Sequence, residues 1–163
     1  MTKTVVCELC GSFYGIDSQD VIAVDNVPTD ITLKNVPRFT EGAVIFRNEP
    51  VAVLGMRILF KTDWHPVLSK VPEPEETSVV FIECGGMKMG FRFDRVVELA
   101  DIPDGKLQKI PLVPDEGSTS YIKGVAQYGD GFMTVIEPDR LISDDSKTAI
   151  SKAIIEAVND DGP

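Results

Sequence analysis

The chain has 163 residues, of which 43% are hydrophobic and 26% charged, and its formal net charge is −10. This length and composition are typical of a soluble globular protein with a core of its own, not of a disordered chain. An acidic surface repels nucleic-acid phosphates and anionic lipid head groups, which argues against nucleic acid as a partner and favours a protein surface with basic features.

The start of the chain shows no membrane-targeting pattern. Residues 1–4 lack the charged start and the long apolar region of a signal peptide. No run in the sequence approaches the 18 or so apolar residues that a membrane span needs. We therefore expect a cytoplasmic protein without direct membrane insertion.

Residues 4–11 are predicted to form a β-strand that carries Cys7 and Cys10. With Cys84 and His65, this CxxC pair could just supply four zinc ligands. Residues three apart on a strand point to opposite faces, however, and no second CxxC is present. The odd number of cysteines also argues against a disulfide framework. We predict no metal and no cofactor, and a zinc site is the weaker alternative.

The most informative feature of the sequence is an internal repeat. Residues 14–28 align with residues 89–103, and residues 39–59 align with residues 121–141. The second copy is longer, and its extra residues are expected within 113–120. The matched positions include Gly15/Gly90, Val21/Val96, Ile22/Val97, Val24/Leu99, Gly42/Gly124 and Phe46/Tyr128.

Each copy alternates apolar and polar residues, is rich in Val and Ile, and has Gly or Pro at short intervals. This pattern is typical of short strands in a closed or sandwiched β unit and not of βαβ crossovers. Gly85-Gly86 is predicted to be a hairpin turn, and the proline- and glutamate-rich residues 71–77 a connector. We expect two similar β-barrels, approximately 4–70 and 78–143, with a strand or helix of one half lent to the other.

The C-terminal residues have a helical pattern. Apolar residues recur at spacings of three and four, which places them on one stripe of a helix over 144–159. The stripe consists of Ile150, Ala153, Ile154, Ala157 and Val158. We expect this helix to pack its stripe onto a barrel rather than to bind a partner.

The sequence contains no motif that points to catalysis. A hydrolytic triad needs a base, and the only histidine, His65, lies beside Trp64 in what reads as a loop. No glycine-rich phosphate loop is followed by a helix, and the carboxylates lie mostly in turns and termini. We predict no catalytic residue, and the alternative of a zinc- or thiol-dependent enzyme requires the cysteines and His65 named above.

Arg47 departs from the repeated pattern. It lies between two apolar runs, where a hairpin tip usually carries Asn, Gly or Asp. Its counterpart in the second copy is Gly129, whereas Gly42 and Gly124 hold the same place in both copies. A residue specific to one copy is a candidate for function, and the alternative is an ordinary solvated turn arginine.

The segment around Arg47 resembles the CheW-like domain of bacterial chemotaxis coupling proteins. The resemblance rests on the residues Pro37, Phe39, Gly42, Phe46-Arg47-Asn48, Val51, Val53 and Met56-Arg57. Residues 13–24, 89–102 and 121–142 are similar to further parts of that family, so that the resemblance extends from about residue 5 to the C-terminal helix. It departs at Ile45, Asn48, Ala52 and Gly55, where the family usually has Asn, Gly, Pro and Asp, which indicates a divergent member.

The resemblance implies a fold and a class of function. Residues 1–163 would form a single CheW-like domain of two five-stranded, SH3-like barrels. The domain would be a stand-alone, non-catalytic adaptor that joins the cytoplasmic tip of chemoreceptors to the regulatory domain of a CheA-type histidine kinase, and self-association in arrays is left open. The alternative is a generic SH3-like peptide- or ligand-binding module outside chemotaxis.

The resemblance also implies partner-binding residues. Val21, Gly42 and Arg47 fall where the family contacts receptor or kinase, in and around the groove between the barrels. The planar guanidinium of Arg47 suits carboxylates or carbonyls of a receptor tip. Phe46 and Val96 are candidates for the barrel-to-barrel contact with the kinase, although both could equally belong to the core.

Overall fold

The structure is a computed structural model that describes residues 2–108 and 121–160, and the predicted insertion at 113–120 lies outside them. No helix in the described ranges is long and apolar enough to cross a membrane. The elements within these ranges are β1 (Thr2–Leu9), β2 (Ser12–Asp17), β3 (Val21–Asp25), β4 (Thr40–Phe46), β5 (Glu49–Gly55), α1 (Met56–Leu59), β6 (Ser78–Cys84), β7 (Met87–Phe93), β8 (Arg95–Ile102), β9 (Ile122–Tyr128), β10 (Gly131–Ile136) and α2 (Asp144–Asp160).

The strands form two five-stranded sheets. Sheet 1 has the order β8-β1-β2-β10-β9, and sheet 2 has the order β3-β6-β7-β5-β4. The predicted fold, mostly β with a C-terminal helix, is confirmed at this level. The first and the last strand of each sheet do not pair with each other, so both sheets are open rather than closed.

Each sheet combines strands from both halves of the chain. β2 pairs in parallel with β10, and β5 pairs in parallel with β7. The assignment of one barrel to 4–70 and the other to 78–143 therefore needs correction, because strands of each half complete the other half's sheet. A 3₁₀ turn at Ser18–Asp20 separates β2 from β3, and β3 pairs with β6 in the other sheet.

The exchange preserves the internal repeat. By the sequence alignment, β2 matches β7, and β3, β4 and β5 match β8, β9 and β10. With β1 matched to β6, the two sheets have one and the same strand order. The sequence repeat thus corresponds to a structural repeat, in which each half of the chain contributes two strands to the sheet of the other half.

The central strands are buried on both faces. In β6, Val80 and Ile82 join a central cluster that takes side chains from both sheets, while Val79 and Phe81 join a second cluster within sheet 2. Sheet 1 likewise has a cluster of its own, to which Val6 of β1 belongs. Since alternate side chains of a strand point to opposite faces, strands between two cores read as continuous apolar runs.

The predicted C-terminal helix is confirmed. Helix α2 buries Ile150 completely in the central cluster and Ala153 almost completely, so the helix packs onto the sheets as expected. The stripe is narrower than the sequence suggested. Val158 is 50% exposed, and Ile155 beside it is 60% exposed.

The structure corrects the predicted geometry of the cysteines. β1 ends at Leu9, and Cys10 has a left-handed backbone with φ 51°. Cys7 and Cys10 are therefore both buried in the central cluster rather than on opposite faces. Burial raises the pKa of the Cys7 thiol to about 12, which keeps it protonated at neutral pH. Among the described residues no group of three or more His, Cys, Asp and Glu is placed to hold a metal ion.

In each sheet, one glycine makes room for a segment of the chain that crosses over its strand. Ile31 forms a β-bridge with Ala43 of β4, and Gln108 forms the equivalent bridge with Val125 of β9. A Cβ atom on Gly42 would lie 2.5 Å from the carbonyl oxygen of Ile31, and the equivalent close approach occurs at the second-copy glycine. The repeated glycine is therefore explained by close backbone packing.

Candidate partner-binding site

The tip of the β4–β5 hairpin presents Arg47 in an unusual backbone conformation. Arg47 and Asn48 form a two-residue loop in which both residues have positive φ, 51° and 67°. Two such residues are typical of the type I′ turn, whose twist matches the flanking strands. Asn tolerates this conformation, whereas for Arg it costs about 1 to 2 kcal/mol. The hairpin thus holds an arginine at a position that favours glycine or asparagine.

The side chain of Arg47 rests on an aromatic stack. Its guanidinium carbon lies 5.0 Å from the centre of the Phe46 ring, which stacks on Phe81 at 4.1 Å. The next carboxylate along the chain, Glu49, pairs with Lys88 at 3.3 Å. In the part of the chain that the structure describes, no ion pair holds Arg47. Its planar fork is therefore presented to solvent on a fixed aromatic support.

Gly42 does not present a surface. It is buried in β4 with φ 153°, and the carbonyl oxygen of Ile31 occupies the place that a side chain would need. Its position in the structure is explained by the crossing segment. A contact of Gly42 with a partner therefore stays a prediction, and substitutions at this position would act first on the fold.

Val21 and Val96 hold equivalent places at the starts of edge strands. Val21 of β3 pairs with Ile82, and Val96 of β8 pairs with Cys7. Both valines are half-buried and pack against the central cluster. They are therefore partly core residues, and the exposed surface of the edge strands belongs to other side chains.

Sequence reasoning missed the apolar face of these edge strands. Leu99 of β8 is 56% exposed, Val97 is 40% exposed, and Val24 of β3 is 44% exposed. The repeat itself held the signal, because it matched Val24 with Leu99 as apolar residues, and both lie on edge strands. Exposed apolar residues along a strand at the edge of a sheet are suited to a protein contact.

A cavity of about 350 Å³ lies beside Val21, between the two sheets. Its lining includes Asp20, Glu83, Glu137 and Asp139, with Lys123 and Arg140. Burial raises the pKa of Asp20, as do the nearby carboxylates of Asp17, Asp139 and Glu137, whereas Lys123 lowers it. The lining of this cavity is therefore predominantly acidic.

A second missed residue is Asp94, which is buried and forms an ion pair with the partly buried Arg57. Arg57 donates to both carboxylate oxygens of Asp94, at 2.8 and 2.6 Å, and to the carbonyl oxygens of Val71 and Pro72. Asp94 also accepts a hydrogen bond from the backbone N–H of Cys10 at 2.9 Å. The hydrogen bond to Asp94 raises the pKa of Arg57. This Arg57–Asp94 pair ties the connector to the ends of β1 and β7.

The five predicted site residues therefore fall in three environments. Phe46 and Arg47 lie together at the exposed hairpin tip, and Phe46 packs against the cluster of sheet 2. Val21 and Val96 lie on edge strands against the central cluster, and Gly42 lies inside sheet 2. The structure therefore brings two of the five residues, Phe46 and Arg47, into direct contact.

Two open five-stranded sheets of one strand order, completed by exchanged strands, define a β domain built from an internal repeat. The family model of the CheW-like domain matches residues 3–146, and the chain belongs to this family. The predicted resemblance is thereby confirmed. CheW-family proteins are scaffolds of chemotaxis signalling rather than enzymes, and the chain belongs to this class of adaptor at the level of its family.

A solved structure has a similar fold over nearly the whole chain. It is the crystal structure of the scaffolding protein TtCheW from Thermoanaerobacter tengcongensis, with a TM-score of 0.75. The two sequences are 23% identical, and the match covers 89% of this chain and 90% of that chain. At this identity the likeness establishes the fold.

Proposed function

We propose that this chain is a non-catalytic adaptor that couples chemoreceptors to a CheA-type histidine kinase. Its membership of the CheW-like family supports this role, and the protein of similar fold is described as a scaffolding protein. The single observation that carries the proposal is Arg47. A costly left-handed conformation is retained by a solvent-exposed arginine at the hairpin tip, where the second copy has Gly129.

The proposal includes a finer description of the fold. Each sheet would be a partly open, SH3-like barrel. The separate apolar cluster within each sheet supports this, because a sheet that curls about its own core encloses such a cluster. The two barrels would be joined by the central cluster. The cavity beside Val21, at the junction of the sheets, would then face the receptor.

Arg47 would bind carboxylates or carbonyls at the cytoplasmic tip of a receptor. Its guanidinium offers several N–H donors in one plane, and the Phe46 ring beneath it limits the orientations that binding must restrict. An arginine anchor at the centre of an interface is worth about 2 kcal/mol or more on truncation to alanine, whereas one at the rim is worth much less.

Binding to a receptor-tip fragment tests the role of Arg47. We expect Arg47→Ala to weaken binding about 30-fold, which corresponds to about 2 kcal/mol, with little change in melting temperature. Lys106→Ala is the matched control, because Lys106 is also an exposed cation in a turn and does not line the cavity beside Val21. Calorimetric titration of both variants and the parent measures the difference. Equal binding by Arg47→Ala and the parent would leave Arg47 as a turn residue only.

The apolar edge strands are the proposed contact with the kinase. The regulatory domain of the kinase is expected to share the same fold, and Phe46 and Val96 are the predicted contacts. Because Val96 is partly core, the sharper variant is Leu99→Glu, at a side chain that is 56% exposed. We expect Leu99→Glu to weaken binding of the kinase regulatory domain at least tenfold. Phe132→Glu, at a side chain that is 70% exposed near the tip of the β9–β10 hairpin, is expected to leave it unchanged.

A further inference from the structure

The loop after α1 exposes the only tryptophan of the chain. Trp64 is 71% exposed and Val67 is 67% exposed, which places them among the most exposed large apolar side chains of the described residues. Scattered surface apolar residues need no explanation, but a tryptophan and a valine exposed three positions apart form a small apolar surface. The family motif ends at Arg57, so this surface lies beyond the features already used.

The loop is held in place by side chains at its base. Phe60 stacks on Tyr121 at 5.3 Å and contacts Tyr14 at 5.1 Å. Thr62 is buried, and its hydroxyl donates to the carbonyl oxygen of Arg57 at 2.8 Å. The exposure of the two apolar side chains is therefore a consequence of a fixed loop conformation.

His65 supports the turn between the two exposed residues. Its Nδ1 atom accepts hydrogen bonds from the backbone N–H groups of Val67 and Leu68, at 3.2 and 3.1 Å. Leu68 in turn packs against the central cluster. The only histidine of the chain thus holds the loop, and a rigid apolar surface loses less conformational entropy on binding than a mobile one.

Three basic residues lie in the same loop as the exposed pair or against it. The Arg38 guanidinium lies over the Trp64 ring at 5.5 Å. The backbone N–H of Trp64 donates to the carbonyl of Lys61, and that of Lys70 donates to the carbonyl of Val67, so both exposed lysines belong to the same short loop. We call these five residues, Arg38, Lys61, Trp64, Val67 and Lys70, the Trp64 patch.

The charge of the patch is opposite to that of the whole protein. Between residues 58 and 70 the sequence has two lysines and one acidic residue, Asp63, in a chain of net charge −10. Arg57, at the base of the loop, is already engaged by Asp94. A local basic surface with an apolar centre therefore stands out from an acidic background, and it is complementary to an acidic partner.

We propose that the Trp64 patch is a second docking site, which binds an acidic protein segment that carries an apolar anchor. The anchor packs on Trp64 and Val67, and its flanking carboxylates pair with the side chains of Lys61 and Lys70. Tryptophan and arginine are the residues most often found to dominate binding energy at protein interfaces. An anionic membrane or a nucleic acid would also bring its charge against the acidic surface around the patch, whereas a short acidic segment contacts the patch alone. This site is separate from the Arg47 tip and extends the proposed adaptor function.

The single tryptophan makes the proposal directly measurable. The probe is a synthetic helical peptide with Leu at positions i, i+3, i+4 and i+7 and with Glu elsewhere, and the control peptide has Lys in place of Glu. We expect a saturable blue shift of tryptophan emission with the acidic peptide and none with the basic one. Absence of a saturable shift up to about 1 mM peptide, or an equal response to both peptides, overturns the proposal.

Variants separate the patch from the rest of the surface. We expect the double variant Lys61→Glu/Lys70→Glu to weaken binding of the acidic peptide at least tenfold, and Val67→Ser to weaken it by a smaller factor. Phe132→Ser, at an equally exposed side chain elsewhere, is the matched control and is expected to leave binding unchanged. An equal loss in the Phe132 variant overturns the proposal.

Two further measurements assign the site. Arg47→Ala is expected to retain full binding of the acidic peptide, so failure of the receptor contact and failure of the Trp64 patch are distinguishable. Vesicles of phosphatidylcholine with and without phosphatidylglycerol are titrated in parallel. A blue shift with the anionic vesicles and none with the acidic peptide would assign the patch to a lipid surface and overturn the proposal.

Discussion

The hairpins β4–β5 and β9–β10 occupy equivalent places in the two sheets, and both close with a two-residue loop. In the first loop Arg47 and Asn48 both have positive φ, as in a type I′ turn. In the second, Gly129 has φ 57° and Asp130 follows without a positive φ, as in a type II′ turn. The repeat therefore specifies the loop length, while each copy is free to choose the turn type.

The residues beneath the two hairpins differ in the same way. Sheet 2 is tied to the connector by the Arg57–Asp94 pair, whose carboxylate is buried. By the alignment, the position of Arg57 is taken by Asp139 and that of Asp94 by Gln19, so the second copy lacks this pair. Its nearby ion pair is Arg140–Glu137, which is largely exposed. Duplication thus conserved the frame, and individual side chains became specific to one copy.

The largest expected effect on stability comes from breaking the Arg57–Asp94 ion pair, which distinguishes sheet 2 from sheet 1. Arg57→Ala leaves Asp94, which is 5% exposed, without its cation, and we expect a loss of about 3 to 5 kcal/mol in the free energy of unfolding. Arg140→Ala, the control in the other copy, is expected to cost less than about 0.5 kcal/mol. Urea denaturation followed by circular dichroism measures both. Similar losses in the two variants would contradict the assignment of the pair to the core.

The next largest effect on stability is expected from substitution of the two repeated glycines, Gly42 and Gly124. Gly42→Ala places a methyl group 2.5 Å from a backbone oxygen at φ 153°, and we expect a loss of about 2 to 4 kcal/mol. Gly124→Ala meets a backbone oxygen at 2.8 Å and the side chain of Leu107 without a positive φ, and we expect about 1 to 2 kcal/mol. Denaturation midpoints of the two variants give the ranking. A larger loss at the second glycine would show that the crossing segment in sheet 1 is the tighter one.

A smaller effect on stability is expected from substitutions at the two hairpin tips. Arg47→Gly relieves the left-handed conformation but removes the contact with Phe46, and we expect a net gain of about 0.5 kcal/mol. Gly129→Ala, where no atom lies within 4 Å of the added group, is expected to cost about 1 kcal/mol from backbone strain alone. Thermal melts measure both. If Arg47→Gly gains stability and loses receptor binding, the arginine serves binding; a loss of stability with unchanged binding would assign it to the fold.

The smallest effect concerns the acidic cavity beside Val21. The pKa of Asp20 is raised above its ordinary value of 3.8, so the folded state binds this proton more tightly than the unfolded chain. The stabilising contribution is complete below that value and is lost as pH rises through the folded pKa. We therefore expect Asp20→Asn to raise the melting temperature slightly at pH 7 and not at pH 3. Equal shifts at the two pH values would show that protonation is not the cause.

Part of the candidate site could be predicted from the sequence, and part could not. Arg47 stood out because it broke a repeat, and the structure places it at an exposed tip. Asp94 gave no such signal, because its partner Arg57 is far away in the chain and the pair forms only when β5 and β7 meet. The Trp64 patch was also missed, because whether a loop tryptophan is buried depends on the packing of its base.

Local patterns in the sequence determined the strands, the hairpin at Gly85-Gly86, helix α2 and the existence of two related copies, because periodicity and turn chemistry act within a few residues. Only the tertiary structure decided which copy's strands complete which sheet. A repeat makes equivalent strands nearly interchangeable in sequence, and the choice between pairing within a half and exchanging strands depends on the connections and on the core between the sheets. The same long-range packing decided that Gly42 is buried while Arg47, five residues later, is exposed.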